Sequence, residues 1–385
     1  MKKNNIYPII VTILFCAFLG ILTLGSIFLP KKAFSDTENR YLAKFPEFSW
    51  EKLKSGEFGR EYEEYLSDQF PFRNSWIGLK TEAELARLNK EINKVFIGND
   101  DFLIEALYNE DIDRELYNKN IDRLVVFARE QADRLGKEHI KIMLVPQAAE
   151  ILKSELPKYA APFNQEEVLK LLSEKGLSEM LLPVRDAFLE RDDKNQLYYK
   201  TDHHWTSYGA YRAYETYADS IGIEAFSLES FDRNIVNKDF LGTIHSKLNV
   251  PVEADEIEQF VPHNKPDWEV YYDGQDKRFN ELYNYSVLDT KDKYRFFLDG
   301  NHGLTKIVNP SVNNGKKLII IKDSFAHCFA PFAALHFEET WMIDLRYFNG
   351  KIGQYIEEEG FTDILLLYNI PGFIKDRNIS KLTWK

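Results

Sequence analysis

Cysteine is almost missing from this chain: there are two in 385 residues, Cys16 inside an apolar run near the N-terminus and Cys328 far downstream. A thiol in a membrane-length apolar segment cannot pair with one in a water-soluble body, so neither a disulfide nor a cysteine-based zinc site is available. Positive charge is also short, with 49 Lys and Arg against 61 Asp and Glu and a net charge of −12. Such a surface repels phosphodiester backbones, which excludes nucleic acid as an expected partner. It also argues against capture of anionic glycans by overall charge, while leaving room for a locally basic cleft. Internal repeats are absent.

What remains is a folding composition. Apolar residues make up 44% and charged residues 29%. The length suits one large α/β domain with a small accessory region. Aromatic content reaches 14%, with 21 Tyr and 28 Phe. Ring faces stack on pyranose C–H groups, and they also fill cores; composition alone leaves both readings open.

Lys2 and Lys3 precede an uncharged apolar segment, Ile6 to Leu29, long enough at about 1.5 Å per residue to cross a bilayer core of roughly 30 Å. Secretory h-regions run to only about 7–15 residues, and Gly25-Ser26-Ile27-Phe28-Leu29-Pro30 is a poor cleavage site, so residues 1–30 read as an uncleaved signal anchor. Lys31 and Lys32 oppose Lys2 and Lys3 in setting orientation. A long C-terminal body can translocate regardless of nearby charge, and this favours a single-pass protein with its main domain extracytoplasmic.

Residues 31–92 read as a connector and helical stalk, polar and Pro-punctuated first, then helical with a break at Pro71. The main domain is expected over 93–385. Gly98-Asn99-Asp100-Asp101 between apolar triplets signals a hairpin, and Asp111–Leu135 a helix. Ile140–Val145 is a buried-strand candidate, with helices expected around 165–174 and 179–190, a strand at Leu197–Tyr199 and a helix over Ser207–Ile221. Residues 226–312 look irregular, an insertion that is either a lid or a surface loop. Strands follow at Lys317–Ile321, Trp341–Leu345 and Ile364–Tyr368, with a helical stretch from Ser324 to about Phe337. Strands alternating with helices imply an α/β fold, a parallel sheet flanked by helices on both faces.

Two short strings carry the chemistry. In Thr201-Asp202-His203-His204-Trp205, extended backbone would set Asp202 and His204 on one side and His203 on the other. A carboxylate beside an imidazole fixes its tautomer and stabilises the cation it becomes on taking a proton. In Lys317–Ile321 followed by Lys322-Asp323-Ser324-Phe325, a hydroxyl sits past the carboxyl end of a buried strand and before a helix, the edge where ligands collect in open α/β sheets. The helix start offers N–H groups to an oxyanion, and the Ser hydroxyl needs a base, which His204 can supply. Competing readings are Ser324 as a helix N-cap, His327 as base, Asp202-His203-His204 as a metal cluster, Asp323 as a loop brace and Trp205 as core rather than sugar platform.

The chain resembles the DHHW family and, more distantly, the alginate O-acetyltransferases, which are SGNH-hydrolase-like. The resemblance rests on Asp202-His203-His204-Trp205 and Asp323-Ser324-Phe325, supported by Glu38-Asn39-Arg40, Asp68-Gln69-Phe70-Pro71-Phe72-Arg73, Val95-Phe96-Ile97-Gly98, Val145-Pro146 and Asp344-Leu345-Arg346-Tyr347. It implies a three-layer SGNH-like domain, Ser324 as nucleophile and Asp202 with His204 as its partners, acting on acetyl esters by hydrolysis or transfer without metal or cofactor. The expected substrate is a cell-surface polysaccharide, and for transfer the acetyl donor would have to arrive through a membrane partner. Lys322 stands where a Gly-Asp-Ser block has glycine. Gln147, Tyr208, Arg346 and Asn349, near expected strand and helix ends, are the candidate substrate or oxyanion residues. The rival expectation is a non-catalytic, anchored polysaccharide-binding or export-accessory protein.

Overall fold

The computed structural model describes residues 6–35 and 40–383; Lys2, Lys3 and Glu38-Asn39 lie outside the described residues. The chain divides into two compact units: the described residues up to Asn89 with Ser246–Pro251, and Lys90–His245 with Val252 onward.

The first unit begins with α1 (Ile6–Phe28), 23 residues and, among the described residues, the helix long and apolar enough to cross a bilayer. A two-residue ladder pairs β1 (Phe34–Ser35) with β2 (Arg40–Tyr41). Three helices follow, α2 (Trp50–Ser55), α3 (Glu57–Asp68) and α4 (Arg73–Ala86). The Ser49 hydroxyl caps α2 by accepting from the Lys52 N–H, and Gly56 ends it in the left-handed conformation a side chain resists. Pro71 falls in the break between α3 and α4.

The second unit opens with a three-stranded antiparallel meander, β3 (Glu91–Ile92), β4 (Val95–Ile97) and β5 (Leu103–Glu105). Then come α5 (Arg114–Leu135), capped by the Asp113 carboxylate, β6 (Ile140–Val145), α6 (Ala148–Ile151), α7 (Glu166–Leu172), α8 (Val184–Leu189) and α9 (Ser207–Ser220). The next stretch holds β7 (Phe231–Phe240), the start of α10 (Thr243–Leu248, of which residues 243–245 belong to this unit), β8 (Asp255–Pro262), β9 (Glu269–Tyr272) and β10 (Leu304–Val308). The chain closes with β11 (Lys317–Lys322), α11 (Ala326–Ala333), β12 (Glu339–Asp344), α12 (Ile352–Glu359), β13 (Asp363–Asn369) and α13 (Ile370–Lys375).

The central sheet runs β6-β13-β11-β12-β10-β9. The first four strands are parallel; β10 pairs antiparallel with β12, and β9 antiparallel with β10. The expected parallel sheet is thus present as a mixed, mostly parallel one. Its extra strands come from the stretch read as irregular over 226–312, which also contains the β7–β8 hairpin. Alternation along the parallel strands separates two cores. Ile319 and Ile321 face α5 and α13 on one side, while Leu318 and Ile320 face α9 and α11 on the other. Leu197–Tyr199 forms no strand but a single bridge, Tyr198 to Trp205, because the chain turns back at once. Pro183 delays the second expected helix to Val184, and the first is prolonged by a wide turn over Ser173–Leu177.

Candidate active site

The nucleophile candidate sits where β11 ends. Ile319 to Lys322 are fully buried between parallel neighbours, so the strand exit is rigid, and Ser324 follows in the turn before α11. Asp323 shapes that turn. One carboxylate oxygen accepts the Phe325 N–H at 2.9 Å and the other the Asn369 N–H at 2.8 Å, linking the ends of β11 and β13. Burial pushes the Asp323 carboxyl up to about 6 against these two donors. Asp323 is thus a brace, and Ser324 does not cap α11: its Oγ lies 2.7 Å from His204 Nε2.

The opposite wall is the Asp202–His204 string. It is a bend rather than extended chain, and this corrects the expected geometry. Asp202 Oδ1 accepts the His204 backbone N–H at 3.1 Å and lies 2.6 Å from the ring Nδ1 of the same residue. The second oxygen accepts the Thr243 N–H at 2.8 Å and the Thr243 hydroxyl at 2.9 Å. This second contact depends on Gly242, where a Cβ would meet the Asp202 Oδ2 at 2.4 Å. His203 does not turn away. Its ring centroid is 3.9 Å from that of His204, and its Nδ1 is 2.7 Å from the Thr243 hydroxyl.

The bend is held from behind by Asp255 at the start of β8. Its carboxylate accepts the N–H groups of Lys200 and Thr201, each at 2.8 Å, and the Thr201 hydroxyl at 2.5 Å. Tyr294 stacks flat on the His204 ring, 3.7 Å between centroids and 8° between planes. Trp205 is a core residue whose indole N–H donates to the Phe325 carbonyl at 2.9 Å, tying the two strings together. Sequence reasoning missed Gly242, Thr243, Asp255 and Tyr294; all lie in the stretch read as irregular.

Electrostatics set the resting protonation. Burial disfavours charge on His204, the neighbouring His203 adds to this, and Asp202 only partly restores the balance, so the imidazole falls to about 4. For Asp202, burial opposes ionisation but the two histidines and the Thr243 N–H overcome it and hold the carboxyl well below its usual range. At neutral pH the arrangement is a neutral imidazole between a hydroxyl and a carboxylate, able to take a proton from the first while stabilised by the second. The metal-cluster reading meets a practical obstacle. Asp202, His203 and His204 bring ligand-type atoms within 4.8 Å of one another, but both Asp202 oxygens, both His204 nitrogens and His203 Nδ1 already have hydrogen-bond partners.

The other candidates separate. Arg346 lies near the site: its charge lowers His204 and acts on Asp323, while its Nε and Nη2 grip Asp344 at 2.9 and 2.6 Å. Tyr208 is elsewhere occupied, its hydroxyl shared by Asp193, Arg191 and Arg212. Asn349 accepts from Lys381 Nζ, which also caps the Leu345 and Phe348 carbonyls. Gln147 reaches Glu105 and Gln165 at the start of α6. The side chains of these three residues make their hydrogen bonds to other side chains of the chain, and none of these bonds reaches Ser324, His204 or Asp202. His327 is no base for Ser324, since its Nε2 lies 2.7 Å from the buried Lys322 Nζ. The expected helix N–H donors are also spent: Phe325 donates to Asp323 Oδ1, Ala326 to the Asp323 carbonyl and His327 to the Ser324 carbonyl. The Ser324 N–H has no acceptor among the described residues.

Known structures share the fold. A DHHW family protein from Eubacterium siraeum is 21% identical, with a TM-score of 0.63, covering 76% of this chain and 95% of that one. Bacillus cereus PatB1 is 19% identical, with a TM-score of 0.63, covering 76% of this chain and 99% of its own. The same protein with a sulfonyl adduct gives 20% identity and a TM-score of 0.62, covering 76% and 100%. No curated protein matches the chain in sequence. The DHHW protein family matches residues 118–343, more than half the length and including both strings that meet at the site, so this chain belongs to the DHHW family.

Proposed function

We propose that the protein is an extracytoplasmic carbohydrate O-acetyltransferase or acetylesterase, held to the membrane by α1 and built on a three-layer SGNH-like domain. The observation that carries this reading is the unbroken chain from Ser324 Oγ to His204 Nε2 (2.7 Å) and from His204 Nδ1 to Asp202 Oδ1 (2.6 Å). Ser324 Oγ adds to an acetyl ester carbonyl as its proton passes to His204. The tetrahedral oxyanion takes the free Ser324 N–H, Asp202 stabilises the imidazolium, and the departing alcohol recovers the proton. A sugar hydroxyl or water, deprotonated by His204, then removes the acetyl group from Ser324.

A sulfonyl fluoride tests the nucleophile, and PatB1 with a sulfonyl adduct is a precedent in a related fold. Full-length protein treated with phenylmethanesulfonyl fluoride is expected to gain one sulfonyl group on the peptide carrying Ser324, and p-nitrophenyl acetate to leave an acetyl group there. Modification elsewhere with Ser324 untouched overturns the assignment.

The protonation states give a pH dependence. His204 works as the neutral base, so kcat/KM for p-nitrophenyl acetate should hold from pH 7 down to about 5 and then fall tenfold per unit as pH drops through about 4. A profile that collapses between pH 7 and 6 contradicts a base with a depressed pKa.

The helix amides favour a second reading. With the first N–H groups of α11 used internally, the oxyanion has a single backbone donor, which suits an anchored polysaccharide-binding protein that keeps the fold without turnover. That reading requires no acetyl or sulfonyl label at Ser324.

A further inference from the structure

On the far end of α11 from Ser324 lies a pocket of about 210 Å³, enclosed by β7, β8, the 281–285 segment and Pro331-Phe332. That volume is below the ~300 Å³ at which drug-sized sites begin and suits one ring. Seven to eight residues separate its wall from Ser324, about 11 Å along a helix axis.

The pocket is built, with a floor and a rim. Phe231, Phe260, Trp268 and Phe332 are buried, and Phe260 is fixed by ring contacts to Tyr211, Phe231 and Phe332 at 5.9, 5.9 and 5.3 Å. Tyr285 is 51% exposed at the rim, where Lys265 and Glu281 pair at 2.7 Å. Gln259 is only 5% exposed. Its Oε1 accepts the Tyr285 hydroxyl at 2.9 Å, while its amide N–H groups have no partner among the described residues. The amide nitrogen opens to solvent through the cavity, so a ligand hydroxyl can take the place of water there.

We infer that this pocket binds a single neutral pyranose unit of a glycan, separately from the Ser324 site. Aromatic faces meet the C–H face of the ring, the Gln259 amide and the Lys265–Glu281 pair meet hydroxyls, and the paired rim charges cancel, so neither an anionic nor a cationic ligand is favoured. A lipid chain would leave the Gln259 donors unsatisfied. The inference rests on the polysaccharide reading above and adds where the polymer is held.

The test uses full-length protein in detergent and two neutral probes, a β-1,4-linked glucose pentamer and a β-1,4-linked N-acetylglucosamine pentamer, followed by saturation-transfer NMR and Trp fluorescence. At least one pentamer is expected to bind wild type and Ser324→Ala equally. Tyr285→Ala and Gln259→Leu should weaken it at least fivefold while p-nitrophenyl acetate turnover stays within twofold of wild type. Binding unchanged in both pocket variants, or neither pentamer binding, overturns the inference. Loss of turnover in Ser324→Ala is read independently, so the pocket can fail while the acyl-transfer reading stands, and the reverse.

Discussion

Ser324→Ala is expected to reduce acetyl-ester turnover by at least about 10³-fold with little change in stability. The hydroxyl makes one contact, to His204 Nε2, and the turn around it is held by Asp323 and Trp205, which the substitution leaves alone. Nucleophile loss in serine hydrolases of this logic costs up to about 10⁶, with residual rate from binding and oxyanion donors alone. Asp202→Asn should lie between the variant and wild type, because the amide keeps the shape but cannot stabilise the imidazolium and sets the wrong tautomer. Initial rates and burst amplitude with p-nitrophenyl acetate, beside an unchanged urea midpoint, make the measurement. Equal rates for Ser324→Ala and wild type would leave no role for the hydroxyl.

The second large effect concerns stability. Lys322 and Asp344 are both fully buried at paired positions on β11 and β12, with Nζ 3.2 Å from Oδ2. Burial pulls the ammonium below its usual value and Asp344 partly restores it; Asp344 is held ionised against burial by Arg346 and Lys322. Asp344→Ala strands a charge in the sheet and should cost about 3–5 kcal/mol, a large share of the stability of a domain this size. The double variant Lys322→Met/Asp344→Leu should recover part of that loss, because apolar pairs of similar volume commonly match a buried ion pair, while His327 Nε2 loses its contact to Lys322. Arg346, 37% exposed, can turn to solvent in both. Urea denaturation read by Trp fluorescence decides it: a single-variant loss under about 1 kcal/mol, or no recovery in the double, contradicts the proposed balance.

The sheet strands and the two strings were legible because each is local. Ile140–Val145 is apolar except for Lys141 and residues 318–321 are an unbroken apolar run, while Asp202 with His204 and Ser324 each lie in a short contiguous motif, the second directly after its strand. What escaped notice was carried by residues without periodic signal. β9, Glu269-Val270-Tyr271-Tyr272, is four residues long and edges the sheet, and β7 exposes most of its side chains, so neither shows a run that separates strand from loop. Tyr294, Thr243 and Asp255 are ordinary polar or aromatic residues, and only the folded chain sets them against His204 and its bend. For Tyr208 and Asn349, position near a strand or helix end gives no partner, and the folded chain pairs them with Asp193, Arg191 and Arg212 and with Lys381.

Asp255 and Gly242-Thr243 belong to the stretch between the main sheet strands, yet they hold the backbone of Lys200 and Thr201 and the Asp202 carboxylate that back the His204 ring. The strands and α11 supply only the hydroxyl. A minimal scaffold cut down to the helices and the four parallel strands would therefore keep Ser324 but lose the contacts that hold Asp202 and the bend carrying His204. Anyone grafting this chemistry elsewhere must transplant the hairpin region along with the sheet.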